Sequence, residues 1–350
     1  MTTCKVLLAL AMVVPMMQSQ KKGVAVIEDA AHHRVDVTID GAAFTSYLWD
    51  TNQRKPVLFP LIAPDGTTVT RGYPFAMRPG ERVDHPHHAG LWFNYGNANG
   101  FDFWNNSDAI KPEDRPKYGT ITQDRVVSTK SGKDAGELVV ESTWTTANGT
   151  GDKILTQTTK YVFSKTMVGG VAARSVDLIV TLKALEPVVF HDDKEGMLGI
   201  RVARFLESPT EKGGIFMDAN GNPTKVDAGD TAGATGVYRT SEGKVGDAVW
   251  STRGTWCLLS GTDAGHAETV AILDHVGNPG YPTYWHARGY GLFAANPLGA
   301  HVFDPKAAAM NFSIAKGETA TFKYRVLLVS GTASDGEMEK AAKVFDGEYR

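Results

Sequence analysis

The strongest constraint on this chain is a period of two. Apolar and polar side chains alternate in Val35-Asp36-Val37-Thr38-Ile39 and again over residues 137–144, 154–163, 176–182 and 321–329. Successive side chains of an extended backbone point to opposite faces, so the pattern predicts strands with one face buried and one wet. Between them stand Pro64-Asp65-Gly66, Asn148-Gly149-Thr150-Gly151 and Asn220-Gly221-Asn222-Pro223. These residue types make tight turns, which implies hairpins and antiparallel sheets. One helix is expected, at the carboxyl end. Ser334 and Glu337 have capping-box spacing, Met338, Ala341, Ala342 and Phe345 make one apolar face, and Gly347 would end it. With 42% hydrophobic residues in 350, the chain can fill a large core. Neither a repeat, a low-complexity tract nor a linker divides it. Residues 20–350 therefore read as one all-β module, a large antiparallel β-sandwich with a short C-terminal helix.

The first residues follow a different rule. Lys5 precedes an unbroken apolar run over residues 6–17, followed by Gln18-Ser19-Gln20 and Lys21-Lys22. This is the pattern of a secretory signal peptide, here residues 1–19, and predicts a periplasmic or secreted protein. A helix of that run would be about 18 Å long against a hydrocarbon core of about 30 Å, too short for a membrane span. An uncleaved anchor is the alternative, since Met17 is larger than such cleavage sites prefer. Cys4 falls in the signal, leaving Cys257 alone and no internal disulfide. The 39 acidic residues outnumber the 36 lysines and arginines, which form no block, so nucleic acid is not an expected partner. Composition is silent on oligomeric state.

Four segments break the alternation. In the first, Asp84-His85-Pro86-His87-His88-Ala89-Gly90-Leu91-Trp92-Phe93 is followed by Asn97, Asn99, Asp102 and Trp104. Pro86 fixes an extended path: on a β path His85 and His87 share a face, on a polyproline path His85 and His88 do. Either way two imidazoles converge, suited to metal ligation or to proton transfer near neutral pH. The second, residues 190–196, puts His191, Asp193 and Glu195 on one face, with Arg201 and Arg204 following to balance that charge or grip an oxyanion. The third runs from Asp274 and His275 through Tyr281 to Trp285, His286 and Arg288. Rings beside polar side chains hold sugars, by stacking on CH faces and bonding to hydroxyls. Core packing is the plain alternative and accounts for Tyr284 or Tyr290 better than for His286 and Arg288. The fourth offers Asn296 on a proline-ended turn. For the first two, the plain alternatives are a loop whose histidines bond buried carbonyls and a solvated charged turn. A P-loop, a dinucleotide glycine fingerprint, a serine elbow and a His-Glu-x-x-His pair are all missing, which removes support for nucleotide and cofactor chemistry.

In residues 84–104, 195–204 and 274–299 the chain resembles a bacterial family labelled "methane oxygenase PmoA-like". The label implies copper-dependent methane oxidation. The family is similar in fold to galactose-mutarotase-like β-supersandwiches, and its relatives accompany sugar catabolism. The resemblance thus implies a carbohydrate-processing enzyme of the isomerase, epimerase, lyase or hydrolase type, with a histidine acid and a carboxylate base. On that reading Glu195 is the base and His88 and His286 are acid candidates, with His87 and Asp193 in support. Substrate contacts fall to His85, Trp92, Asn97, Asn99, Trp104, Arg201, Asp274, His275, Tyr281, Trp285, Arg288 and Asn296. The partner is a sugar or glycoside. Two alternatives remain: a metal-dependent oxygenase or hydrolase holding a divalent ion on a subset of His85, His87, His88, His191, His286 and Glu195, and a non-catalytic glycan-binding module.

Overall fold

The computed structural model describes residues 22–209, 213–227 and 232–349. The expected signal peptide and Cys4 lie outside the described residues. Two antiparallel sheets carry the fold. One has eight strands in the order Val237–Thr240, Trp256–Asp263, His266–Asp274, Thr319–Val329, Val171–Ala184, Lys153–Val168, Ala135–Thr145, Thr120–Lys130. The other has nine, in the order Val24–Asp29, Arg34–Ile39, Ala42–Leu48, Val57–Leu58, Leu91–Tyr95, Gly196–Arg201, Leu292–Asn296, Thr283–Arg288, Arg253–Gly254. Their facing sides share one apolar core, in which Phe93, Leu198, Trp285 and Phe293 of the nine-stranded sheet meet Leu178, Val180, Ile272 and Phe322 of the other. This is the expected all-β antiparallel architecture with a C-terminal helix.

All five alternating segments are strands, and four lie in the eight-stranded sheet. That sheet alternates because much of its outer face meets water: Leu138 and Val140 point into the core while Glu137 and Glu141 do not. Elsewhere its outer face is covered by the helix Asp335–Glu348, whose Met338, Ala342 and Phe345 pack with Trp256, Leu258, Leu273 and Leu327. The capping box forms as expected, with Ser334 Oγ accepting from Glu337 N and Glu337 Oε2 accepting from Ser334 N at 2.7 Å. Gly347 does not stop the helix, because one more residue is held: the Glu348 carboxylate receives Arg325 Nη2 at 2.5 Å. Cys257 is buried in its strand, and burial pushes its thiol well up, leaving it inert. No helix among the described residues is long and apolar enough to cross a membrane.

The central strands of the nine-stranded sheet differ. Leu91–Tyr95, Gly196–Arg201 and Leu292–Asn296 are buried at every position. One face enters the core and the other is roofed by Val57, Phe59, Phe75 and Trp104. Strands covered on both sides carry no polar alternation, and this is where the polar segments converge.

Candidate functional site

The outer face of the nine-stranded sheet is set by register. Trp92 pairs with Gly199, Gly199 with Ala294, and Ala294 with His286, so one rung of four strands has an indole at one end, an imidazole at the other and two small residues between. The Trp92 and Trp104 rings lie on Gly199, where a Cβ would fall 2.5 Å from Trp92 and 2.9 Å from Trp104. A neighbouring rung pairs Arg201 with Leu292 and Leu292 with Arg288. Two arginines thus stand two strands apart on the same face, both over the ring of Tyr290, at 4.9 Å and 5.7 Å.

The histidine loop is wound around Arg71, which is fully buried. Its guanidinium donates to the carbonyls of Asp84, His85 and His88 at 2.8, 3.1 and 2.9 Å, and to Asp84 Oδ1 at 2.7 Å. Arg201 Nη2 donates to the same Asp84 oxygen at 2.5 Å. Burial alone would raise the Asp84 carboxyl, but the bond from His85 and the charges of Arg201 and Arg71 overcome it and hold it well below the usual range. His85 adopts a positive φ of 43°. That conformation lays its ring parallel to Tyr290 on one side and to His88 on the other, with centroids 5.2 and 4.9 Å apart. Trp92 continues the column behind His88 at 5.2 Å.

His88, expected as an acid candidate, is held inside the ring column. Trp104 Nε1 donates to His88 Nε2 at 3.1 Å, and Arg201 Nη1 approaches Nδ1 at 3.3 Å. The Trp104 bond puts the lone pair on Nε2 and the hydrogen of the neutral ring on Nδ1, so Arg201 is a close neighbour there rather than a second donor; burial, followed by the charges of its neighbours, pushes the pKa of His88 well down. Burial, and next the charge of Lys55, likewise push the pKa of His87 well down. Lys55 is itself buried, donating to His87 O at 2.9 Å. Both histidines are parts of the scaffold.

The second polar group lies beside this one. The segment before the Gly196–Arg201 strand is pinned by Asn296, whose Nδ2 donates to Asp193 O at 2.8 Å, and by Tyr95, whose hydroxyl accepts from Asp193 N at 3.1 Å. Asp193 Oδ1 then accepts from Glu195 N at 2.9 Å. The turn fits only because Gly96 lacks a side chain: a Cβ there would sit 2.8 Å from the Glu195 Cβ. Glu195 holds Lys194 Nζ at 2.5 Å and has Oε2 3.7 Å from His286 Nδ1. Burial raises the carboxyl of Glu195 and that of Asp193. His286 Nδ1 lies 3.0 Å from the Lys194 carbonyl, so this nitrogen carries the hydrogen and Nε2 the lone pair. Burial, then the charge of Lys194, lowers His286 to about 3, which makes it a neutral acceptor rather than the expected acid. Next to it, Trp250 meets His286 edge-on at 4.8 Å and carries the Arg288 guanidinium on its face at 4.7 Å. Trp250 lines a cleft of about 430 Å³ with Arg82, Asp84, Asp247, Arg288 and Tyr290, and His286 adjoins Trp250 from outside that lining, with Glu195 next to it. A larger groove of about 600 Å³ runs under the C-terminal helix past Val162, Met167, Leu327 and Val344, and holds none of these groups.

Other expected substrate contacts are elsewhere. Trp285 points into the core, and Trp92 and Trp104 are buried under the roof, so none offers a face to a ligand. Arg201 and Asn296 are fully buried and act through Asp84 and Asp193. Asn97 caps a turn through Gly100 N, and Asn99 brackets the backbone of Pro187 and Val189. Asp274 accepts from Asn278 and Thr283 N inside the eight-stranded sheet, where burial pushes it up to about 7. His275 packs edge-on against Phe345 of the helix, and Tyr281 follows in the same loop, on the helix side and away from the cleft. His191 is exposed and contributes backbone groups, its carbonyl to Tyr95 and its N–H to Asn97 O at 3.0 Å. The proposed ligand set of His87, His88, His191, His286 and Glu195 is therefore dispersed. Among the described residues no three His, Cys, Asp or Glu side chains are placed to hold one metal ion, and the donor set does not fit the divalent metal considered.

Several cleft residues escaped the sequence reading, among them Arg82, Asp247, Trp250 and Tyr290. Trp250 follows the short turn Gly246–Val249, with no histidine or carboxylate cluster to mark it except Asp247. Core packing was the plain expectation for Tyr284 or Tyr290. Tyr284 is buried, parallel to Phe303 at 5.3 Å, while Tyr290 faces the cleft from the hairpin between the Thr283–Arg288 and Leu292–Asn296 strands. Its neighbours Gly289 and Gly291 were the available signal of a special backbone.

No curated protein matches the chain. Among solved structures it is similar to the galactosidase domain of an alpha-galactosidase–sucrose kinase, at 9% identity and a TM-score of 0.42, over 88% of this chain but only 42% of that one. It is also similar to the galactose 1-epimerase from Lactobacillus acidophilus NCFM, at 11% identity and a TM-score of 0.36, over 90% of this chain and 100% of that one. A protein of Synechocystis is similar at 8% identity and a TM-score of 0.33, over 91% and 100% of the two chains. The family whose sequence profile matches, over residues 34–343, is described as a family of unknown function, a description without the methane-oxygenase label. The chain belongs to this family, DUF6807.

Proposed function

We propose that the cleft binds one sugar unit and that Glu195 exchanges a proton with it, as in isomerisation, epimerisation or elimination. The observation that carries this reading is the meeting of Glu195 and His286, 3.7 Å apart, beside the half-exposed indole of Trp250. A carboxyl lifted by burial is better matched to taking and returning a proton near neutrality than an exposed one. Neutral His286, with its lone pair on Nε2, accepts a hydroxyl and orients it. Trp250 supplies the apolar face on which a sugar ring stacks. The same reading places the mature protein outside the cytoplasm, on the strength of the apolar run after Lys5.

The test follows solvent deuterium entering reducing sugars and sugar acids, by NMR in D2O. Glu195→Gln keeps the shape and removes the base, and is expected to lower the exchange rate about 10²- to 10⁴-fold with little change in affinity. A loss below about tenfold would reduce Glu195 to an orienting part. Binding by the wild type without exchange or turnover of any sugar would refute proton transfer and leave a glycan-binding module.

A further inference from the structure

We infer that the ligand of this cleft carries a carboxylate, held by Arg288, and is a sugar acid such as a uronate rather than a neutral hexose. This rests on the sugar reading above and adds the substrate class. The evidence is the pairing of the arginines. Arg71 and Arg201 share Asp84, at 2.7 and 2.5 Å. Arg82 and Arg204 share Glu207, at 3.0 and 2.6 Å. Each of these carboxylates already faces two guanidiniums. Among the described residues Arg288 has no carboxylate within ion-pair distance and no side-chain hydrogen bond, although it is half-buried.

Arg288 is also held in a posture that suits an anion. Its planar group lies against Trp250 at 4.7 Å and near the ring of Tyr290 at 5.7 Å. Stacking occupies the faces of a guanidinium and leaves its N–H edge free, which is the edge that binds a carboxylate through two parallel hydrogen bonds. Arg288 and His286 are two residues apart on one face of their strand, about 7 Å along it. A single pyranose unit can therefore rest on Trp250 with its carboxylate at Arg288 and its reacting end toward His286 and Glu195.

Titration calorimetry with D-glucuronate, D-galacturonate, D-glucose, D-galactose and the two hexose 6-phosphates tests this. The uronates are expected to bind about tenfold to hundredfold more tightly than their parent hexoses, the worth of a hydrogen-bonded charge pair. In Arg288→Met the ratio is expected to fall to about one. If that variant does not fold, Arg288→Gln is expected to give the same collapse of the ratio. Equal affinity of the wild type for uronates and hexoses would overturn the carboxylate assignment and leave the sugar site standing. Preference for the phosphates would overturn it in favour of a phosphorylated sugar. Binding of none of the six would overturn the carboxylate assignment and the sugar reading together.

Discussion

Lys55 offers a measurement of how dry the histidine loop is. The residue is 3% exposed, and among the described residues no carboxylate pairs with it. Its Nζ donates to the carbonyls of His87 at 2.9 Å and Trp104 at 3.4 Å, with the Trp92 ring 5.6 Å away. Burial lowers its pKa from 10.5 to about 7, the charge of Asp102 offsetting only a little. An amine with a lowered folded pKa binds fewer protons in the folded than in the unfolded state between those two values. Its cost is thus fully present below pH 7 and is relieved as the pH rises toward 10.5, by about 1.4 kcal/mol per unit. Lys55→Met keeps the volume and removes the titration, at a pH-independent cost of about 1–3 kcal/mol for the two stranded carbonyls. Urea unfolding of both proteins, followed by tryptophan fluorescence at pH 7, 8 and 9, compares them. Allowing for half-titration at pH 7, the wild type is expected to gain about 2 kcal/mol on the variant between pH 7 and 9. A difference that stays flat would mean that folded Lys55 is charged and hydrated, and the dry setting of His87 and His88 would be refuted with it.

His88→Ala is expected to destabilise by about 2–4 kcal/mol in urea, since it opens a cavity in the ring column and strands the Trp104 Nε1–H; a change under about 1 kcal/mol would show that the column is not structural. Gly199→Ala forces a methyl into the Trp92 and Trp104 rings and is expected to cost about 1–3 kcal/mol, read as a lower urea midpoint with an unchanged slope. Amino-terminal peptide mapping of protein from the periplasm or medium is expected to begin after Ser19, and an intact Met1 on cytoplasmic protein would refute export.

The legible parts of the fold are those where one face meets water. Glu137, Glu141 and their neighbours announce the eight-stranded sheet because solvent requires every second residue to be polar. The central strands of the other sheet carry no such mark. Their polar residues were visible as clusters, and those clusters held both site and scaffold. His88 and Arg201 look alike in sequence to His286 and Arg288. What separates them is that Asp84 and Trp104, from other segments, bond to the first pair, while among the described residues no carboxylate pairs with Arg288, which only stacks on Trp250 and Tyr290. Asp274 and His275 sit next in sequence to the site strand, yet belong to the opposite sheet, because the chain crosses from one layer to the other between Asp274 and Thr283. No local pattern encodes that crossing. Trp250 was missed for the opposite reason: its surroundings in sequence are plain, and its role arises only where it meets His286.

The Thr283–Arg288 strand turns Trp285 and Ala287 toward the core and His286 and Arg288 to the opposite face, where Arg288 lines the cleft. A slip of one position would drive an indole into the ligand's place and a guanidinium into the hydrophobic layer. The strand is therefore a fixed ruler, and a related chain that changes its ligand has little freedom to do so there. The freedom lies in the turn that carries Trp250 and in the hairpin that carries Tyr290, each of which can lengthen or exchange its ring without disturbing the layers beneath. Divergence of specificity on this scaffold should accordingly be written in two short loops that read against an invariant pair of side chains.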